Sequence, residues 1–289
     1  MPELPEVETV KRGLFKLVVG KTIKSVLSDT ARSFPNATAD VEQFLVNAKI
    51  IDVRRRAKVL LIDLSTKYSL VIHLKMTGQL VFVDKVERFA AGHPNDSLVG
   101  QLPDKSTRVS IEFTDGSHLY FNDQRKFGWV RLIPTDEVQN IDFMKRVGPE
   151  PLEADFTAND FAKCFEKRLG ATIKAAILDQ SVIAGVGNIY ADESLWGAKI
   201  HPARKVGSIF KSEFNKLYTE IRLVMNLSID KGGSTNRNYV NAEGKKGSYM
   251  DFARVFRREG LECPRCGTEI IKIRVAGRGT HICPNCQKC

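Results

Sequence analysis

The sequence predicts an α+β protein of two domains, on three observations. Its 289 residues exceed the ~100–200 of one ordinary domain. Its first half carries short apolar strand-like runs, whereas its second half repeats apolar residues at helical spacing. Five of its six cysteines crowd into residues 263–289, so the end of the chain is a unit of its own kind. Apolar residues at 43% and charged residues at 27% exclude a disordered or collagen-like chain. No run approaches the ~18 apolar residues of a membrane span. The opening MPELPEVETV carries acids where a secretory signal is basic and then apolar. A cytoplasmic protein is expected.

Taken in order, residues 3–17 predict a helix, because Leu4, Val7, Val10, Leu14 and Leu17 fall on one face. Pro5 is tolerated in the first turn, where its missing N–H is not needed. From Lys21 to Pro134 strands are expected, among them 59–62, 70–74, 109–113 and 129–132, with a hairpin turn at 114–117. Residues 84–107 read as a long surface loop. Lys58 is placed at the start of an apolar strand. The first region therefore spans 1–134, and a Pro- and Gly-bearing linker spans 135–151. Helical spacing governs 152–231. Residues 232–253 form a loop rich in Gly, Asn and Lys, and 254–289 carry the cysteines. There is no internal repeat.

The net charge of +10 points to a polyanionic partner or to a merely basic soluble enzyme. Residues 254–289 hold eight Lys or Arg against three Glu, a net +5 on one-eighth of the length. Within them Cys263-Pro-Arg-Cys266 and Cys283-Pro-Asn-Cys286 stand 16 residues apart, the spacing of a four-thiolate zinc ribbon. One structural zinc ion is expected; four thiolates leave no open position for catalysis. A basic hairpin of this kind suits phosphate contacts. Cys164 and Cys289 fall outside the spacing.

Two further features have more than one reading. Once Met1 is removed, Pro2 presents a secondary amine at the start of a helix, beside Glu3 and one turn from Glu6. Such an amine can attack an aldehyde-level carbon, and the helix field disfavours its protonated form. The same acids also suit a helix N-terminus for electrostatic reasons alone. Lys58 either extends to solvent or is held buried for a chemical purpose.

These blocks together resemble the formamidopyrimidine-DNA glycosylase family. The resemblance rests on MPELPEVETV, Arg55-Arg56-Ala57-Lys58, His73-Leu74-Lys75-Met76-Thr77-Gly78 and Asp123-Gln124-Arg125-Lys126-Phe127-Gly128. It continues through 147–151, Gly185-Val186-Gly187-Asn188-Ile189-Tyr190 and Gly277-Arg278-Gly279-Thr280-His281, in family order along nearly the whole chain. It implies an N-terminal β-sandwich with flanking helices, a helix–two-turn–helix domain and a zinc finger, with DNA in the cleft between the domains. It implies a monomeric base-excision repair enzyme acting on double-stranded DNA that contains oxidised purines (8-oxoguanine, formamidopyrimidines) or abasic sites. By resemblance Pro2 is the nucleophile, Glu3 the general acid, Lys58 a participant in elimination, and Arg278 a phosphate ligand in δ-elimination. Met76, Arg125 and Phe127 fill the space of the flipped base, while Lys174 and Asn188 contact phosphate. The loop Ser234-Thr235-Asn236-Arg237-Asn238-Tyr239, led by Gly233, closes over the lesion.

The sequence departs from the family pattern in places. Ser106-Thr107-Arg108 replaces a His-Asp-His stretch, so that family DNA contact is either lost or carried by Arg108. Thr77 follows the wedge methionine, and Val255-Phe256-Arg257-Arg258 replaces Val-Tyr-Gly-Arg. Two alternatives stand beside the purine reading. One is the endonuclease VIII type for oxidised pyrimidines, which begins Pro-Glu-Gly-Pro where this chain has Leu4. The other is a non-catalytic zinc-ribbon DNA-binding protein.

Overall fold

The computed structural model describes residues 2–93, 96–234 and 249–289. These form two compact units, one of residues 2–145 with 231–234, the other of 146–230 with 249–289.

In the first unit, helix α1 (Leu4–Val18) leads into β1 (Ile23–Ser28) and α2 (Thr38–Phe44). Then follow β2 (Ile50–Arg56), β3 (Val59–Leu64), β4 (Tyr68–His73), β5 (Gly78–Val83), β6 (Arg88–Gly92), β7 (Thr107–Phe113), β8 (His118–Asp123), β9 (Trp129–Pro134) and α3 (Asp142–Arg146). The strands build a five-stranded sheet, β1-β7-β8-β5-β6, and a four-stranded sheet, β2-β3-β4-β9, antiparallel throughout. Alternate residues of both sheets share one core: Leu60, Ile62, Ile72 and Val130 from one, Leu80, Phe82, Ile111 and Phe121 from the other. This is a β-sandwich. Its outer faces are also covered. Leu61 and Val71 pack on Val138 and Met144, and Val81 packs on Leu98. Double-sided burial explains why β3 reads as a continuous apolar run rather than an alternation.

Three local expectations are corrected. The segment expected to be a loop over 84–107 contains β6, which pairs with β5. Only Phe89 and the small Ala91 point into the shared core from it, too short an apolar signal to read. Residues 38–44, expected within a strand region, are helical but bury no residue fully, so no apolar face announces the helix. Lys58 precedes the strand rather than beginning it. Arg56 pairs with Val59, so Ala57 and Lys58 form the two-residue hairpin turn, with Ala57 at φ 53°. Gly13 in α1 is explained by β6: a Cβ there would lie 2.3 Å from the Phe89 ring.

The second unit contains α4 (Ala158–Lys163), α5 (Ile173–Leu178), α6 (Asn188–Ala198) and α7 (Lys211–Asp230), then the hairpin β10 (Ile271–Val275) and β11 (Arg278–Ile282). Helix α6 lies against both α5 and α7 and also contacts β11. Buried on nearly every side, it carries Asp192 and Glu193 at 0% exposure. No helix among the described residues is long and apolar enough to cross a membrane.

Candidate active site and nucleic-acid interface

The first unit brings its candidate residues onto three turns. Helix α1 begins just after Pro2 and Glu3; Pro2 is partly exposed and Glu3 buried. The Glu6 carboxylate works at this end. One oxygen accepts the Glu3 N–H at 2.8 Å, as in a capping box, and the other accepts the Ser234 N–H at 2.8 Å. Ser234, the first residue of the expected lesion loop, is thus tied to the N-terminal helix. Residues Thr235 to Tyr239 of that loop lie outside the described residues.

The turn that holds Lys58 is anchored to the same helix. Arg55 donates to Glu8 at 3.0 Å and to the Ala57 carbonyl at 3.0 Å. Lys58 itself is 4% exposed. Burial pushes the Glu8 carboxyl up, but hydrogen bonds and charge from Arg55, with help from Arg12 and Lys11, outweigh burial and hold it below its ordinary range. His73, paired with Val59, accepts the Lys75 N–H at its Nδ1 and packs on Trp129 and Phe143. Burial, reinforced by Lys75 and Lys58, lowers it to about 3. At neutral pH it is an uncharged imidazole whose Nε2 is left as the donor.

Met76, Arg125 and Phe127 converge on the surface. Arg125 lies 3.2 Å from the Met76 sulfur, and its guanidinium sits 4.7 Å from the Phe127 ring centre. Arg32 approaches the same ring at 5.7 Å. Met76 and Phe127 are 46% and 43% exposed, so the cluster presents apolar as well as cationic surface to solvent. Asp123 holds the two turns together, and the sequence reading missed it. Fully buried, it accepts N–H groups from Phe127 at 2.8 Å, Gly128 at 2.6 Å and Arg125 at 3.2 Å, and the Thr77 hydroxyl besides. Gly128 permits this, because a Cβ there would meet the Phe121 ring at 2.7 Å. The available signal was an Asp preceding a Gly-closed turn, an arrangement that often binds its own backbone.

Arg108 does not take the expected surface role. It is 6% exposed, and its guanidinium donates to the Asp123 carbonyl, the Lys105 carbonyl and Asp29. An arginine so engaged braces the wedge turn from behind rather than meeting a phosphate.

In the second unit the four cysteines converge. Their sulfurs lie within 4.8 Å of one another, with separations of 4.0 Å for Cys263–Cys286 and 3.5 Å for both Cys266–Cys283 and Cys266–Cys286. A tetrahedron with Zn–S bonds of ~2.3 Å has edges of ~3.8 Å, so the donor set fits one structural zinc ion. The Thr268 hydroxyl and backbone, with Asn285, lower the Cys266 thiol, whereas burial raises Cys283 and Cys286. The site is fastened to α6. Arg265, inside the first knuckle, stacks 3.8 Å from the Trp196 ring centre and donates to the Trp196 carbonyl at 3.0 Å. Glu193 accepts the backbone N–H groups of Arg254, Val255 and Phe256 at 2.8–3.0 Å.

Arg278 is exposed at the hairpin tip, after the turn residues Ala276 and Gly277, both at positive φ. Beside it, the Gly279 carbonyl accepts from the Asn188 side chain at 3.1 Å, at the first turn of α6. Lys174 is not at the surface. It is fully buried, paired with Asp192 at 2.5 Å and bonded to Thr280 at 2.7 Å, so in this arrangement its ammonium supports the hairpin instead of facing a phosphate. Asp192 and Glu193 were also missed; their signal was two successive acids in a helix otherwise built of small and apolar residues.

Three family models match the chain: the formamidopyrimidine-DNA glycosylase N-terminal domain over residues 1–130, the H2TH domain of the same enzymes over 147–239, and a zinc finger found in FPG and IleRS over 260–288. Curated relatives include a formamidopyrimidine-DNA glycosylase of Pelotomaculum thermopropionicum, 40% identical over 100% of this chain and 99% of its own length. Another from Pediococcus pentosaceus is 42% identical over 99% of each chain. Among solved structures, the Lactococcus lactis Fpg in complex with abasic-site DNA superposes with a TM-score of 0.86 at 35% identity, covering 99% of this chain and 100% of that one. The same enzyme with DNA containing N7-benzyl-Fapy-dG gives 0.86 at 35%, covering all of both chains. With similarity extending from the helix that follows Pro2 through the last zinc ligand, this chain belongs to the formamidopyrimidine-DNA glycosylase family.

Proposed function

We infer that this protein removes oxidised purines from duplex DNA and then nicks the strand at the abasic sugar. The observation that carries the reading is full-length identity of about 40% to enzymes named for this activity, in a chain that keeps Pro2 and Glu3 at the entry to α1. The intracellular location expected from the sequence accords with a DNA substrate, and a monomer suffices, since each unit supplies its own contacts.

The chemistry follows from these residues. The Pro2 amine attacks C1′, and the bond from C1′ to the base breaks with its electron pair leaving on the base, which takes up a proton. Glu3 donates a proton to the sugar ring oxygen as the ring opens to an iminium. The iminium withdraws electrons and acidifies C2′. Loss of that proton expels the 3′-phosphate, and loss of the C4′ proton from the conjugated product expels the 5′-phosphate. Lys58, buried on a turn braced to α1, is suited to moving protons in these steps. Arg278, exposed on a basic hairpin, is suited to stabilising the departing phosphate.

Extrusion of the base costs a few kcal/mol. The exposed Met76, Arg125 and Phe127 cluster supplies apolar and cationic surface to occupy the gap. Asn188 at the start of α6 offers phosphate contacts that position the strand without reading its sequence.

Borohydride reduction tests the reading. Zinc-loaded protein and duplex DNA containing 8-oxoguanine should give a covalent adduct, which Pro2→Gly abolishes. An intact, zinc-loaded protein that gives no adduct would overturn it. Faster release of oxidised pyrimidines than of oxidised purines would overturn the purine assignment alone.

A further inference from the structure

We propose that Asp192 is a positioning residue for Arg278, setting the hairpin tip for the second elimination through a buried relay. The proposal rests on the role given to Arg278 above. Asp192 reaches the tip by two routes. Its Oδ1 pairs with the Lys174 ammonium at 2.5 Å. Lys174 donates to the Thr280 hydroxyl at 2.7 Å, and Thr280 donates to the Arg278 carbonyl at 3.0 Å. Its Oδ2 accepts the His281 N–H at 2.9 Å and lies 3.2 Å from the His281 ring. The residues on both sides of Gly279 are thereby referred to one carboxylate on α6. The same helix carries Asn188, which takes the Gly279 carbonyl itself.

Asp192 and Lys174 are both at 0% exposure. A buried pair of this kind contributes little net stability over an apolar substitute, but its geometry is stringent. Each oxygen of Asp192 faces a donor, so an amide in its place sets an NH2 group against either Lys174 or His281 whichever way it is turned. The tip must then shift. Arg278 is the side chain that feels the shift, because it projects from the tip without burial of its own.

The test uses zinc-loaded, full-length protein and abasic-site duplex, resolving the products of the first and second eliminations. Asp192→Asn should slow the second elimination about tenfold while leaving 8-oxoguanine release and borohydride trapping within about twofold. Thr280→Val, which cuts the relay at one hydroxyl and keeps the ion pair, should give a smaller loss in the same step only. If all steps of the zinc-replete Asp192→Asn protein fall together, or none changes, the proposal is overturned. Should Asp192→Asn fail to fold or to hold zinc, Thr280→Val decides, and an unchanged second elimination in it overturns the proposal. Arg278→Ala separates the two layers. Normal second elimination in that variant removes the role of Arg278 itself, whereas its loss beside a silent Asp192→Asn removes only the relay.

Discussion

Asp123→Asn should unfasten the wedge turns while leaving the sandwich folded. The Asp123 carboxylate binds the N–H groups of Arg125, Phe127 and Gly128 and the Thr77 hydroxyl. Its Oδ2 serves Phe127 and Gly128, and its Oδ1 serves Thr77 and Arg125. An Asn can keep one pair of acceptor bonds and must turn an NH2 on the other. Hydrogen bonds to a charged group contribute about 1.5–3 kcal/mol each, and a stranded buried donor costs about 1–3 kcal/mol. Because the exposed turn can swing out and meet water, the net loss should be near 3 kcal/mol rather than the sum. For a domain of this size that lowers the melting temperature by roughly 6–12 °C. Trp129, which follows Gly128, provides a fluorescence signal within the same unit. On the role proposed above for Met76, Arg125 and Phe127, affinity for abasic-site duplex should fall more than affinity for undamaged duplex. Thr77→Val, which keeps shape but removes the hydroxyl that donates to Asp123 and accepts the Arg125 N–H at 3.2 Å, should cost about 1.5–3 kcal/mol. An Asp123→Asn protein that melts within 2 °C of the parent (about 1 kcal/mol or less) and discriminates abasic DNA equally would refute the reasoning.

Three other outcomes follow from the structure. Glu8 titrates below its usual range in the folded state, so its contribution to stability is complete above the unfolded value near 4.5 and is lost as pH falls through the lower folded value; Glu8→Gln should flatten the acid limb of a melting-temperature profile, and parallel limbs for the two proteins would contradict this. Chelation of zinc should unfold the hairpin of 254–289 and weaken DNA binding, with a shallower salt dependence once its phosphate contacts are lost; an unchanged salt slope in the metal-free protein would argue against contacts from the hairpin. Gly13→Ala should destabilise the first unit by about 1–3 kcal/mol, because its new Cβ falls 2.3 Å from the Phe89 ring and the core must open to admit it; the helix-propensity gain of about 1 kcal/mol would dominate only if Phe89 repacks freely, which a melt would reveal as a stabilised protein.

What the sequence disclosed depended on how far apart the interacting residues lie. Helix α1 was expected over 3–17 and spans Leu4–Val18, since its register is written in one continuous stripe. The zinc ligands were legible because the metal imposes short spacing within each knuckle and a hairpin between them. Lys58 was legible as an anomaly but not as a turn residue, because the register that makes Ala57 and Lys58 a two-residue loop is set by pairing with neighbouring strands. Met76, Arg125 and Phe127 look like ordinary core or surface residues in isolation. Only the resemblance joined them, and Asp123 supplies the physical link between their turns.

The least legible feature is the pair of acids on α6, and it bears on function more than on stability. Asp192 contacts residues up to 89 positions away, and Glu193 gathers three successive amides some 60 residues later. Neither can be read from local spacing. Burying two carboxylates is expensive, and an apolar helix would hold α5 and α7 as well. What an apolar helix could not do is fix the azimuth of the zinc unit about α6. Glu193 sets where the segment entering the finger begins, Arg265 on Trp196 sets one knuckle, and Asp192 sets the hairpin that returns. Three directional contacts on one helix define an orientation, whereas a greasy interface permits rotation. A phosphate ligand, the role proposed above for Arg278, has value only at a defined distance from the bond that breaks. The charged groups of α6 are therefore best understood as the means by which a small metal-held hairpin is aimed.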